Sequence, residues 1–215
     1  TAATAIGGLA INTSKDVDQA MNSFIVQTGI AKNESGEWQK ALEDIYKNNY
    51  GESFEDIANS MALASQELYE FDPSQIKAVT ENALALRDAF GVEVNESIRA
   101  TKALMTQFGI SADEAYNLMA QGAQAGLDFS GELVDNINEY SVQFGKLGLS
   151  AEDMFNIFQS GADAGAWNLD KIGDAVKEFS IRAIDGSKTT VEGFTKLGLN
   201  ADTMAKKFAA GGDTA

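Results

Sequence analysis

The sequence contains an internal repeat of 39 residues, and this repeat restricts the possible folds more than any other feature of the chain. A shift of 39 residues aligns GISADEAYNLMAQGAQAG at 109–126 with GLSAEDMFNIFQSGADAG at 148–165. Over the 34 residues that begin at positions 108 and 147, 11 are identical. A third opening, GLNADTMAKKF at 198–208, follows after an insertion of eleven residues. A period of this length is typical of stacked helical hairpins.

Each repeat opens with residues that favour the start of an α-helix. A glycine and an apolar residue precede a side chain that can cap a helix, namely Ser111, Ser150 or Asn200, and acidic residues follow. A capping side chain accepts hydrogen bonds from free backbone N–H groups, and acidic residues in the first turn complement the helix dipole. Upstream, Ser53 and the run Asp72-Pro73-Ser74-Gln75 indicate two more helix starts.

Apolar residues recur at intervals of three and four positions, which is typical of helices that bury one face. These stripes comprise Tyr116, Met119 and Ala123; Phe155, Phe158 and Ala162; and Leu133, Ile137, Tyr140 and Phe144. The glycines predicted to follow helix ends are those at 29, 51, 91, 109, 126, 148, 165 and 198. Together the patterns predict eleven helices, near 14–28, 35–48, 54–69, 73–89, 95–107, 112–125, 131–145, 151–164, 169–184, 189–197 and 201–209.

We therefore expect an all-α fold, a multi-helix array of helical hairpins that carries the 39-residue repeat in its second half. The single proline and the many Ala, Leu, Glu and Lys residues favour helices over strands. We interpret residues 1–70 as an N-terminal helical segment and residues 71–215 as a helical-hairpin repeat domain, with one continuous domain as the alternative. Because the chain opens at Thr1 in the middle of a pattern, we expect a fragment of a longer protein.

The composition excludes several kinds of chemistry. The sequence has no Cys and no His, which removes disulfides, thiolate ligands and the commonest metal ligand and proton shuttle. We predict no catalytic, cofactor-binding or metal-binding residues and no cofactor. No apolar run approaches the roughly 20 residues that a membrane-spanning helix requires.

The charge argues against nucleic acid as a partner. The formal net charge is −16, and between Lys102 and Lys171 ten acidic residues face the single base Lys146. Affinity for nucleic acids comes largely from lysine and arginine, so we expect neither specific DNA binding nor attraction to anionic membranes.

The sequence from Tyr50 to Asp213 resembles phage tail tape measure proteins. The resemblance is most specific in DKIGDAVKEFSIRAIDGS at 170–187. The segments that carry it are YGESFEDIA (50–58), AFGVEVNESIRATKALMTQFGISADEA (89–115), NEYSVQFGKLGLSAEDM (138–154), SGADAGAWNLDKIGDAVKEFSIRAIDGS (160–187) and TKLGLNADTMAKKFAAGGD (195–213).

This resemblance implies a helical structural protein that occupies the lumen of the tail tube, sets tail length during assembly and leaves before the genome. It implies a location in the virion tail, with assembly in the host cytoplasm. The implied partners are the tail tube protein, the baseplate hub and tail assembly chaperones, and we also expect self-association. Two other functions remain open: a generic helical scaffold that binds a peptide or protein, and part of a cell-wall-degrading tail protein.

Two pairs of neighbouring carboxylates are the strongest candidates for acid–base chemistry. They are Asp113 with Glu114 and Glu152 with Asp153. Glycoside cleavage needs two carboxyl groups about 5 to 9 Å apart. Because each pair follows a predicted helix cap and recurs with the repeat, we interpret both pairs as capping residues.

Other candidate residues have structural interpretations as well. The spacing of Gly122 with Gly126 and of Gly161 with Gly165 predicts tight helix packing and helix ends, with a self-association face as the alternative. We interpret Trp38 and Trp167 as core or interface anchors. We discount three further features as sites: the acceptor-like tripeptides at 33–35 and 95–97, and the lysine pair Lys206 and Lys207.

Overall fold

A computed structural model describes the backbone of residues 2–215 and the side chains of residues 14–215. Within those residues the fold is all-α, with eleven α-helices and two short 3-10 segments, Lys32–Glu34 and Gly212–Thr214. The helices are α1 (Ala2–Thr28), α2 (Gly36–Lys47), α3 (Phe54–Glu67), α4 (Pro73–Phe90), α5 (Val94–Phe108), α6 (Ala112–Gln124), α7 (Leu133–Lys146), α8 (Ala151–Asp163), α9 (Leu169–Arg182), α10 (Lys188–Lys196) and α11 (Ala201–Ala210).

The predicted all-α class is confirmed, and the last ten predicted helices agree with the observed ones to within two residues at each end. The first prediction was wrong at its start, because α1 begins at Ala2 rather than near residue 14. Its opening residues include several Ala, Ile and Leu, whose helix propensity outweighs the cost of Gly7 and Gly8.

The chain divides into two compact units, Thr1–Arg99 and Ala100–Ala215. The boundary at residue 70 that the sequence suggested lies inside the first unit, where α4 packs on α2 and α3. Whether residues 71–215 form an independent domain stays a prediction.

The core of the first unit forms where α1 packs along α3 and both α2 and α3 pack on α4. Its largest fully buried side chains are Phe24, Leu42, Ile45, Ile57, Met61, Ile76 and Leu84. The indole of Trp38 lies against the ring of Phe24, with ring centroids 5.2 Å apart, so Trp38 borders this core as predicted.

The repeat forms the second unit, with α7 packed against α6, α8 and α9. The predicted apolar stripe of α7 is confirmed, because Leu133, Ile137, Tyr140 and Phe144 are all buried. The ring of Phe144 meets the ring of Phe158 on α8 edge-on, with centroids 5.6 Å apart. One repeat thus packs on the next through residues that recur with the 39-residue period.

The glycines predicted to follow helix ends, at 29, 51, 91, 109, 126, 148, 165 and 198, all have positive φ. Gly148, in the turn between α7 and α8, has a second constraint. The backbone carbonyl of Gly212 occupies the place that a Cβ atom at Gly148 would need. Any side chain at Gly148 would therefore both strain the backbone and displace the turn at Gly212–Thr214.

Candidate functional site

The two carboxylate pairs lie in helix caps, as the sequence predicts. At the start of α6 the backbone N–H of Ser111 donates to Glu114 Oε2 at 2.8 Å, and the N–H of Glu114 donates to Ser111 Oγ at 3.2 Å. At the start of α8 the same reciprocal bonds join Ser150 and Asp153, each at 3.0 Å. These are capping boxes, so Glu114 and Asp153 serve to satisfy the first N–H groups of their helices.

Acid should weaken the cap of α6. The hydrogen bonds from the backbone and the side chain of Ser111 lower the pKa of Glu114 below its usual value of 4.5. The contribution of Glu114 to stability is therefore complete above that value and is lost as the pH falls through the lowered pKa. We expect the free energy of unfolding, measured by urea titration with circular dichroism, to decline below about pH 4.5.

The substitution Glu114→Gln tests this origin of the acid sensitivity. Glutamine can still accept the hydrogen bond in a capping box but does not titrate. The variant should show a shallower decline in stability on acidification than the parent chain. An identical acid profile would mean that the Ser111–Glu114 cap is not its source.

The glycines inside α6 and α8 allow close packing between helices. A Cβ atom at Gly122 would lie 2.9 Å from Phe155 Cε1, and one at Gly161 would lie 2.6 Å from Ile172 Cδ1. Their partners Gly126 and Gly165 have φ of 82° and 91° and follow the helix ends. The predicted packing and termination roles are confirmed. Because both glycine faces are covered within the chain, self-association, which stays a prediction, would need other surfaces.

A buried polar pair between α7 and α9 was not anticipated from the sequence. The hydroxyl of Tyr140 donates to Asp170 Oδ1 at 2.7 Å, although the Tyr140 side chain is almost fully buried. Burial and the hydrogen bond to Asp170 both raise the pKa of Tyr140 above its usual range, so the phenol stays protonated. The one available signal was the tyrosine itself, since its counterpart one repeat later is Phe179.

The first unit contains an ion pair that the sequence also did not reveal. Arg87 Nη1 donates to both carboxylate oxygens of Asp56, at 2.8 and 3.1 Å, and joins α4 to α3. Burial alone would raise the pKa of Asp56, but the hydrogen bonds from Arg87 and the Glu52 backbone, with the charge of Arg87, lower it. The two residues are 31 positions apart, so no local pattern connects them.

The remaining candidate residues lie at the surface. Trp167 is 73% exposed, with Lys171 Nζ 5.8 Å from its ring, so the expectation of a core position was wrong for this residue. It precedes α9 in a turn, where few neighbours can cover an indole. The acceptor-like Asn33 and Asn95 are both exposed. So are Lys206 and Lys207, near the end of α11.

The acidic surface of the second unit is consistent with its composition. None of the ten acidic residues between Asp113 and Asp170 is buried. Among the residues with described side chains, no group of three or more carboxylates is arranged to hold a metal ion. None of the described helices combines the length and the apolar character that a bilayer crossing requires.

An apolar groove of about 470 Å³ is the clearest concave feature of the second unit. Its lining includes Ile157 of α8, Val176 and Phe179 of α9, Phe208 of α11 and the terminal residue Ala215. The sequence predicted apolar helix faces but not this groove. No titratable side chain is among the lining residues, so the groove is suited to hold an apolar surface.

These features define a helical repeat protein whose polar side chains cap and join its helices. A family model described as phage-related minor tail protein matches residues 46–215. The chain therefore belongs to the phage-related minor tail protein family, and its role is that of a structural protein of the phage tail.

A curated relative supports the same placement. The chain is 38% identical over 65 residues to the probable tape measure protein of Streptomyces phage phiC31. The match covers 30% of this chain and 9% of that relative, so the chain spans a small part of the relative's length. No solved structure matches the chain.

Proposed function

We propose that this chain is a folded, non-enzymatic module of a tail tape measure protein. In this role it helps to set tail length and occupies the lumen of the tail tube before the genome is delivered. The family match over residues 46–215 carries the proposal, and the similarity to the phiC31 protein supports the narrower assignment. Its partners would be the tail tube protein, the baseplate hub and the tail assembly chaperones.

The physical properties of the chain suit this role. A helix advances about 1.5 Å per residue, so the length of an extended helical protein follows its residue count. An acidic surface repels phosphate, which would let DNA pass without adhering. The best candidates for acid–base chemistry, Glu114 and Asp153, are engaged in helix caps.

Tail length in the phage or prophage that encodes the chain tests the proposal. Deletion of one repeat, residues 109–147, should shorten the tails by at most about 60 Å, and duplication of it should lengthen them similarly. Electron microscopy measures both changes. The substitution Gly193→Ala, which keeps the residue count, is the control and should leave tail length unchanged. Tails of parental length in both the deletion and the duplication would overturn the ruler function.

The enzymatic alternative has a separate test. Incubation of the 215-residue chain with purified peptidoglycan should release no soluble fragments above the buffer background. Release that disappears in a Glu114→Gln or Asp153→Asn variant would overturn the non-enzymatic part of the proposal.

A further inference from the structure

The helices α7 and α9 hold the same position in successive repeats but differ in how well they are covered. On α7 the apolar residues Leu133, Ile137 and Tyr140 are 2%, 0% and 2% exposed. A shift of 39 residues leads to their counterparts on α9. These are Ile172, which is 9% exposed, Val176, which is half-buried, and Phe179, which is 48% exposed.

The difference arises because α9 covers α7. Gly173 of α9 lies so close to the ring of Tyr140 that a Cβ atom would overlap it, and Asp170 accepts the hydrogen bond from the Tyr140 hydroxyl. The second helix of one repeat thus covers the second helix of the repeat before it. In the described part of the second unit, Phe179 has no comparable cover and instead lines the apolar groove.

The opening helix of a third repeat is already in place beside the groove. Phe208 of α11 is the counterpart of Phe158 of α8, by the alignment of Gly198 with Gly148. Phe158 meets Phe144 of α7 edge-on with centroids 5.6 Å apart, and Phe208 meets Phe179 of α9 edge-on with centroids 5.3 Å apart. The contact on α9 lies one helical turn earlier than the contact on α7. In both repeats an aromatic residue of the opening helix packs on the helix before it.

We infer that the groove is the docking site for the second helix of a third repeat, supplied by the same polypeptide beyond Ala215. Three observations identify this occupant. The opening helix α11 is present, the groove exposes the counterparts of residues that α9 covers on α7, and Ala215 itself lines the groove. The occupant is an amphipathic helix of the α9 type, with a small residue over Phe179. This inference does not depend on whether the parent protein sets tail length.

The chain itself supplies the probe for a test. Ala215 aligns with Gly165, so residues 166–184 appended after Ala215 place a copy of α9 in the register of the third repeat. The matched control carries the Gly173→Leu change in the appended copy alone, because a side chain there would block close approach to an aromatic ring. A second control carries Val176→Glu in the native α9, which puts a charge in the groove.

Amide hydrogen exchange, followed by mass spectrometry, reads the outcome in α8 and α11, because these helices line the groove and their sequences are not duplicated. The extension should slow exchange in both helices by about tenfold or more relative to the unextended chain, and both controls should abolish the effect. Equal exchange with and without the extension would overturn the inference. So would a concentration-dependent dimer of the unextended chain that Val176→Glu disrupts, because the occupant would then be a second copy.

Discussion

The substitution Phe158→Ala is expected to cost about 3–5 kcal/mol of unfolding free energy in the second unit. Phe158 is fully buried on α8, and its ring meets Phe144 of α7 edge-on. Removal of the ring leaves a cavity between helices of successive repeats and deletes an aromatic contact. Urea denaturation followed by circular dichroism measures the loss, and hydrogen exchange in α7 and α8 assigns it to this unit.

The control for this prediction is Phe129→Ala. Phe129 belongs to the same unit but is 48% exposed, so its removal should change stability by no more than about 0.5 kcal/mol. Equal losses from both substitutions would contradict the packing described for α7 and α8.

The substitution Gly173→Ala should lower stability by about 1–3 kcal/mol, although alanine is the better helix former. The added methyl group would overlap the ring of Tyr140, which is almost fully buried and cannot move aside cheaply. Separation of α9 from α7 would also weaken the hydrogen bond from Tyr140 to Asp170. Thermal and urea unfolding measure the loss.

Gly193 gives this prediction a control of opposite sign. It lies inside α10, and no atom lies within 4 Å of the position that a Cβ atom would take. The Gly193→Ala variant should therefore gain about 0.5–1 kcal/mol from helix propensity alone. If both variants are stabilised, Gly173 does not lie in tight contact with Tyr140.

Local signals in the sequence predicted most of the secondary structure. The cap formed by Ser111 and Glu114 recurs with the 39-residue period, and positive-φ glycines such as Gly126 follow the helix ends. Capping and termination depend on residues within one turn of each other, so a single sequence reveals them. The buried stripe of α7 was predicted for the same reason, because its spacing follows the helical period.

Contacts between distant residues could not be predicted in this way. The pairs Asp56 with Arg87 and Tyr140 with Asp170 are separated by about 30 positions, and the way in which helices pack decides whether such residues meet. Trp167 illustrates the same difficulty. Its composition suggested an anchor in the core, but its position in a turn before α9 leaves it exposed.

The packing of one repeat on the next has a consequence for assembly. Each second helix is covered by the repeat that follows, so an array of this kind presents one incompletely covered helix at the end of its last repeat. In the described second unit that helix is α9. A variant that weakens this stacking, such as Gly173→Ala, should loosen two neighbouring repeats together rather than one alone.

The contact between Tyr140 and Gly173 gives the most direct test of this stacking. In an isotope-edited NMR experiment on the full chain, we expect nuclear Overhauser effects between the ring protons of Tyr140 and the α protons of Gly173. The α protons should also show a large ring-current shift. A Tyr140 ring without these cross-peaks, at the chemical shifts of a solvent-exposed tyrosine, would contradict the account.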